Sequence, residues 1–234
     1  IGGRPVAGGG RFRRGLLFRV SGALVGADDL SHLGGLGLRT LFDLRSEVED
    51  REHLSAWASG EGIDYRHVPV GVGRLSEVLT SFKEAAGSAE VAADLLRSIY
   101  RRILDDHGST LAGVVDVMAD GLPAGFGCAA GKDRTGVLAA LLQSVAGVDE
   151  AGIVEDYSTL APDAERLRRL LPTFIPDENV DGPGIDILLG AAGETMRATL
   201  VHLAERWGGG ARYLEAHGLA PDRIRALREQ LVEA

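Results

Sequence analysis

Phe126-Gly127-Cys128-Ala129-Ala130-Gly131-Lys132-Asp133-Arg134-Thr135-Gly136 is the stretch on which the reading of this chain turns. The apolar run Leu122 to Gly127 leads into it, and a stripe at helical spacing, Val137, Leu138, Leu141, Leu142 and Val145, follows it. The pattern is strand, glycine-bearing turn, helix. A short loop of this kind aims successive backbone N–H groups at one point, and the helix adds its positive end, so the segment is predicted to cradle a phosphate. Ala129 and Ala130 are too small to crowd such a cradle, and Gly131 permits the unusual backbone angles it needs. A free cysteine with a pKa of about 8.5 is mostly protonated at neutral pH, whereas one at a helix N-terminus beside cations titrates at about 3.5 to 7.5. Cys128 is therefore predicted to be a thiolate nucleophile. Arg134, six positions on, returns to the loop mouth with two parallel N–H bonds for phosphate oxygens, a geometry lysine cannot match. Thr135 is predicted to hydrogen-bond the Cys128 sulfur and ease its departure when water breaks a phosphoenzyme.

Two plainer readings compete. A lone cysteine is often a small buried hydrophobe, but Gly, Arg, Thr and Gly at the required offsets after it arise by chance on the order of once in several thousand. Gly131-Lys132 also resembles the end of the nucleotide-binding loop G-x-x-x-x-G-K-[ST]. That pattern fails at Asp133, which cannot replace the metal-coordinating hydroxyl, and at Phe126, where its first glycine belongs.

Working outward, Gly15 to Val20, Thr40 to Leu44 and Ile63 to Val70 read as strands. Between the second and third, Ser46 to Gly60 reads as a helix with Ser46 as N-cap, making a βαβ unit. Val91 to Asp106 carries a helical face of Leu95, Leu96, Ile99 and Ile103, and Ser109 is predicted to cap the next helix. Leu122 to Gly127 is expected to be a strand despite Pro123, Gly125 and Gly127. Beyond Asp149 the chain reads as helical, with Asp149 to Leu160, Glu194 to Trp207 and a last helix opened by Pro221. Pro172 to Gly190 reads as a lid or a plain surface loop. The whole is expected to be one α/β domain over 1–234, a central, mostly parallel sheet flanked by helices.

The 234 residues, 45% hydrophobic, suffice for a core without disulfide or metal support. A net charge of -9 argues against a nucleic-acid or anionic-membrane binder. Arg11, Arg13, Arg14 and Arg19 form a basic run that reads as a solvated face. One cysteine excludes an intrachain disulfide and multi-cysteine zinc sites, so a reducing, cytoplasmic location is expected, with no cofactor and no metal. The start, Ile1-Gly2-Gly3-Arg4, lacks Met and a signal-peptide stretch, and no run approaches a membrane span, so neither export by a signal peptide nor stable membrane insertion is expected.

With these residues in view the chain resembles the cysteine-based protein tyrosine phosphatases, and among them the bacterial enzymes whose loop reads Cys-x-x-Gly-Lys-Asp-Arg-Thr-Gly, as Cys128 to Gly136 does. The likeness extends to Arg14-Gly15-Leu16-Leu17-Phe18-Arg19, to Gly37 through Ser46, and to Tyr213-Leu214-Glu215-Ala216-His217-Gly218-Leu219. The resemblance implies a phosphate loop at the C-terminal end of a central strand, held by Ala129, Ala130, Gly131, Lys132, Asp133 and Arg134. It implies a phosphorylated-protein substrate, phosphotyrosine with phosphoserine or phosphothreonine in some relatives, or a phosphoinositide where lysine stands as Lys132 does. Lys132 then either contacts a second phosphate or is a solvated loop residue. Two departures stand out. The residue before the nucleophile, usually histidine, is Gly127, and the stretch after Pro69 has no carboxylate until Glu77 to act as general acid. The resemblance to relatives that use the loop's own aspartate implies Asp133 as the candidate acid, with loop bracing as its alternative role; Asp156, Asp177, Glu178 and Asp181 are weaker candidates that read rather as helix-surface or loop charges. The expected function is a phosphomonoester hydrolase acting through a cysteinyl-phosphate. The alternative is a catalytically silent module that binds phosphotyrosine or phosphoinositide, which Gly127 favours, while sulfur or arsenate chemistry is disfavoured by the single cysteine.

Overall fold

A computed structural model describes residues 1–72, 75–159, 165, 167–169 and 182–234, with backbone alone at 75–79 and 82. After a two-residue strand, β1 (Arg11–Phe12), the chain builds a parallel sheet from β2 (Leu17–Ser21), β3 (Thr40–Asp43), β4 (Asp64–His67) and β5 (Ala124–Cys128), in the spatial order β2-β5-β3-β4. One face is covered by α1 (Ala27–Gly34) and α2 (Glu52–Gly60), through a small core of Val20, Leu30, Leu41, Leu54, Ala58 and Ile63. α2 links β3 to β4, the expected βαβ unit.

A larger core receives Phe42 and Phe126 from the sheet together with α4 (Ala89–Asp106), α5 (Gly108–Asp120) and α6 (Asp133–Ala146). α3 (Leu75–Ala86) precedes α4, and α7 (Glu150–Thr159), α8 (Pro183–Leu189), α9 (Gly193–Trp207), α10 (Gly210–Ala216) and α11 (Pro221–Leu231) complete the helices used below. α6 is buried along nearly its whole length, including Val137, Leu138, Leu141 and Leu142, because it is packed between β5 and surrounding helices. A final strand, β6 (Val232–Glu233), pairs antiparallel with β1, so the region after 149 is not purely helical.

β3 and β5 lie in the middle of the sheet with every residue buried, which suits strands covered on both faces. β5 is nevertheless glycine-rich, and close packing is the reason. A Cβ added at Gly125 would lie 2.8 Å from Leu41 Cδ1, and one at Gly127 would lie 2.2 Å from the carbonyl oxygen of Val20 on β2.

Several expectations change. The helix expected from Ser46 begins only at Glu52, because Ser46 bonds the Glu49 side chain in a loop instead of capping a helix. Ser109 lies inside the first turn of α5, whose N-cap position is His107. The expected lid or loop from Pro172 to Gly190 falls at 172–181 outside the described residues. Its later part is α8, with Pro183 at a first-turn position and Ile185, Leu188 and Leu189 buried, so the proline opened a helix. Among the described residues no helix is long and apolar enough to cross a membrane.

Candidate active site

The site lies where β5 ends. Cys128 is its last residue and is almost fully buried at 1% exposure, and Asp133 is the first residue of α6. Between them the loop turns its carbonyls outward. Cys128 O accepts from Gly22 N at 2.8 Å, and Ala129 O from Ala23 N at 2.9 Å and Ser21 Oγ at 3.2 Å. Gly131 O accepts from Arg19 Nη2 at 2.9 Å, and Lys132 O from Gly136 N at 2.7 Å. Gly131 has φ 65°, a left-handed angle, and a side chain there would also press on Val20 O at 2.9 Å. With the carbonyls committed outward, none of the N–H groups from Ala129 through Thr135 donates a hydrogen bond among the described residues. A continuous run of unpaired donors at the start of a helix is an arrangement that favours negative charge.

Arg134 is gripped by Glu49. Nη1 meets Oε2 at 2.7 Å and Nη2 meets Oε1 at 2.9 Å, and Nη1 also donates to Leu44 O at 3.3 Å. A guanidinium has five N–H donors; these bonds leave the Nε–H and one Nη2–H, which form a second parallel pair for an oxyanion. Glu49 is itself held by Ser46, whose N and Oγ reach Oε2 at 2.6 and 2.8 Å. Burial pushes the Glu49 carboxyl up, but the hydrogen bonds and charge of Arg134, with the Ser46 bonds, outweigh it and leave its pKa lowered. Burial likewise opposes the Arg134 charge, and Glu49, Cys128 and Asp133 more than offset it, so its pKa is raised.

Behind this pair lies a buried brace. Asp43, at the end of β3, accepts from Arg45 Nη2 at 2.6 Å and from Tyr65 Oη at 2.7 Å, and Arg45 Nη1 reaches the carbonyls of Asp50 at 2.6 Å and Gly22 at 3.3 Å. Through Gly22, which bonds Cys128 O, and through Asp50 the brace touches both the loop after β5 and the segment carrying Glu49.

Asp133 is held through one oxygen. Tyr100 Oη donates to its Oδ1 at 2.9 Å, Tyr157 Oη lies 2.6 Å from Tyr100 Oη, and Lys132 Nζ lies 3.2 Å from the same Oδ1. Among the described residues no hydrogen bond reaches Oδ2. Lys132 is buried at 2% exposure. Its ammonium donates to Leu188 O and, at 3.0 Å, to Gly190 O, at the end of α8. Helix-end carbonyls lack intrahelical partners and carry partial negative charge, which is why a cation settles there. With two donors on backbone carbonyls and Asp133 as its ion-pair partner, Lys132 is not a solvated residue.

The expected bond from Thr135 to the Cys128 sulfur is not made either. Thr135 Oγ1 is buried and has no partner among the described residues. Asp156, expected at a helix surface, is buried at 8% exposure and accepts from Gln143 Nε2 at 3.1 Å. Asp177, Glu178 and Asp181 lie outside the described residues. Arg19, read as part of a solvated basic run, has a side chain only 9% exposed and reaches into the loop. The spacing missed Arg19, Glu49, Tyr100 and Tyr157. For Glu49 a signal existed in Ser46-x-x-Glu49, a capping-box pattern put to another use. The glycine at 127 follows from the approach of Val20: any side chain there meets backbone.

A thiol at the end of a central parallel strand, followed by an outward-carbonyl loop and an arginine at the helix start, defines a cysteine-loop α/β protein. The family model described as "Tyrosine phosphatase family" matches residues 1–233, and the chain belongs to that family. Over 224 residues it is 28% identical to a tyrosine-protein phosphatase of Nostoc commune, covering 88% of this chain and 70% of that protein. It is 34% identical over 159 residues to a protein of Cupriavidus necator also named as a tyrosine-protein phosphatase, covering 67% of this chain and 57% of the other. A match to the triple specificity protein phosphatase PtpB of Mycobacterium tuberculosis has 27% identity over 156 residues, 61% of this chain and 56% of that protein.

Proposed function

We propose that the protein is a phosphomonoester hydrolase that removes phosphate from phosphotyrosine in proteins through a cysteinyl-phosphate intermediate. The observation that carries this is the unbonded run of N–H groups from Ala129 through Thr135 wrapped about a buried Cys128, with Arg134 presenting two further donors. These donors suit the three non-bridging oxygens of a phosphoryl group and are fixed before substrate arrives, which is where most of the electrostatic stabilisation of a transition state comes from. Cys128 attacks phosphorus as a thiolate, the bond from phosphorus to the tyrosine oxygen breaks, and that oxygen takes a proton from Asp133. Water then attacks the phosphoenzyme, its proton returns to Asp133, and the sulfur leaves as thiolate.

Two observations support this reading within the wider set. Gly127 is imposed by backbone packing against Val20, so its presence does not favour a silent binding module. Lys132, the residue that would meet a second phosphate on an inositol ring, is buried, with two donors on the carbonyls of Leu188 and Gly190 and its charge beside Asp133, which supports phosphotyrosine over phosphoinositide. The name of the Nostoc commune relative, tyrosine-protein phosphatase, lies in the same direction. Phosphate release from phosphotyrosine peptides, phosphoserine peptides and phosphoinositide vesicles, with a chelator present, tests the reading. Phosphotyrosine is expected to lead, and Cys128→Ser is expected to lose turnover while still binding vanadate. Turnover that survives Cys128→Ser would remove the covalent mechanism.

A further inference from the structure

Arg19 is the charged side chain of the site that the chemistry above leaves without a task. It stands on β2 in register with Phe126 of β5, and its side chain is 9% exposed. Nη2 holds the Gly131 carbonyl at 2.9 Å, but Nη1 is buried with no hydrogen bond among the described residues. The carboxylate it faces, Asp156, stands off at 3.8 Å, and the same Oδ2 already accepts from Gln143. A buried cation so loosely neutralised is costly to a fold.

The neighbouring charges are better matched. From α6, Arg134 is paired with Glu49 of the loop before α2, and Asp133 lies 3.2 Å from Lys132. α7 contributes Asp156 and Tyr157, α4 contributes Tyr100, and the Ile1 amine lies close enough to interact with Arg19. Arg19 is thus the cation of the site with charge to spare, and residue 127 has no room for a side chain that would supply it instead.

We infer that Arg19 is a positioning residue of the phosphate loop, whose buried charge keeps Cys128 ionised and whose bond to Gly131 keeps that carbonyl turned away from the anion. The electrostatics agree with the geometry. Burial pulls the Arg19 pKa down, while Asp156, then Cys128, and the phenols of Tyr100 and Tyr157 push it partly back. The inference rests on Cys128 as the anionic centre of the site, but not on turnover.

Cys128 is the chain's single cysteine, so its ionisation is read directly in the whole protein. The measurements are thiolate ultraviolet absorbance and iodoacetamide alkylation against pH, with Cys128→Ser as blank. Arg19→Gln keeps a donor for Gly131 and removes the charge. It is expected to raise the midpoint by about one pH unit, making alkylation below the midpoint about tenfold slower. Arg19→Lys keeps the charge and is expected to leave the midpoint near wild type. Asp156→Asn, which frees more of the Arg19 charge, is expected to lower it, and decides the matter if Arg19→Gln fails to fold. An unchanged midpoint in Arg19→Gln, a shift in Arg19→Lys as large as in Arg19→Gln, or no fall in Asp156→Asn would overturn the inference. Activity surviving in Cys128→Ser would remove the covalent mechanism and leave this titration still able to judge Arg19.

Discussion

Gly127 offers the sharpest test of the packing argument. Because relatives usually carry histidine before the nucleophile, Gly127→His looks on sequence grounds like a gain. The structure reverses the sign. A Cβ at 127 would lie 2.2 Å from Val20 O and 2.9 Å from its carbonyl carbon, both backbone atoms of the neighbouring strand. Ordinary contact needs about 1 Å more, and β2 cannot retreat alone, since it is paired with β5 from Leu17↔Ala124 to Ser21↔Cys128. Overpacking of this kind costs about 1–3 kcal/mol. For a chain of this size each kcal/mol lowers Tm by about 2–4 °C, so Gly127→Ala is expected to melt about 2–12 °C below wild type, and Gly127→His at least as low. Moving β2 also moves Ser21, Gly22 and Ala23, which hold the loop carbonyls, so vanadate affinity should fall along with stability. Thermal unfolding followed by circular dichroism, beside vanadate titration, reads both. Gly113→Ala in α5, where an added Cβ meets nothing within 4 Å, is the control and should melt at or above wild type. A Gly127→Ala protein melting within about 1 °C of wild type, with vanadate affinity intact, would refute the argument.

Glu49→Gln, which leaves Arg134 with one neutral acceptor in place of a carboxylate, is expected to lower kcat/KM about tenfold, about 1.4 kcal/mol, mainly through KM. Because the folded pKa of Glu49 is lowered, its contribution is present above the ordinary carboxylate value and is lost as pH falls through the folded value. The acid-side loss of phosphate affinity in wild type should therefore be blunted in Glu49→Gln, and a parallel profile would remove Glu49 as its source. Asp133→Asn is expected to slow phosphotyrosine, whose leaving phenol has a pKa near 10, by about 10² to 10⁴ while sparing aryl phosphates of acidic phenols. A leaving-group dependence no steeper than in wild type would assign Asp133 to loop bracing instead.

Much of this was legible before any coordinate. The Cys128 to Gly136 spacing located the loop, and apolar runs located the strands, including β5 against the propensity of its glycines. What stayed hidden depends on partners distant in sequence. Arg19 sits in a run of arginines that reads as surface, and only the pairing of β2 beside β5 brings it to the loop. Ser46-x-x-Glu49 carries a helix-start pattern and its local bond is made, but the same carboxylate also takes Arg134, 85 positions away, which nothing local announces. Tyr100 lies on an ordinary helical stripe, and nothing local says that its hydroxyl will meet Asp133. Lys132 reads equally as a substrate contact, and its capture by α8 depends on carbonyls some 56 positions on.

The outward-facing carbonyls also bear on how the protein behaves when it is idle. N–H groups from Ala129 through Thr135 that find no acceptor among the described residues repel one another and add to the cost of the folded state. Any tetrahedral oxyanion that fills the loop relieves that repulsion, and because it binds the native chain alone it shifts the folding equilibrium by mass action. Inorganic phosphate, the product of the proposed reaction, then has two opposed effects: it competes with substrate for the loop, and it protects the molecule whose turnover it slows.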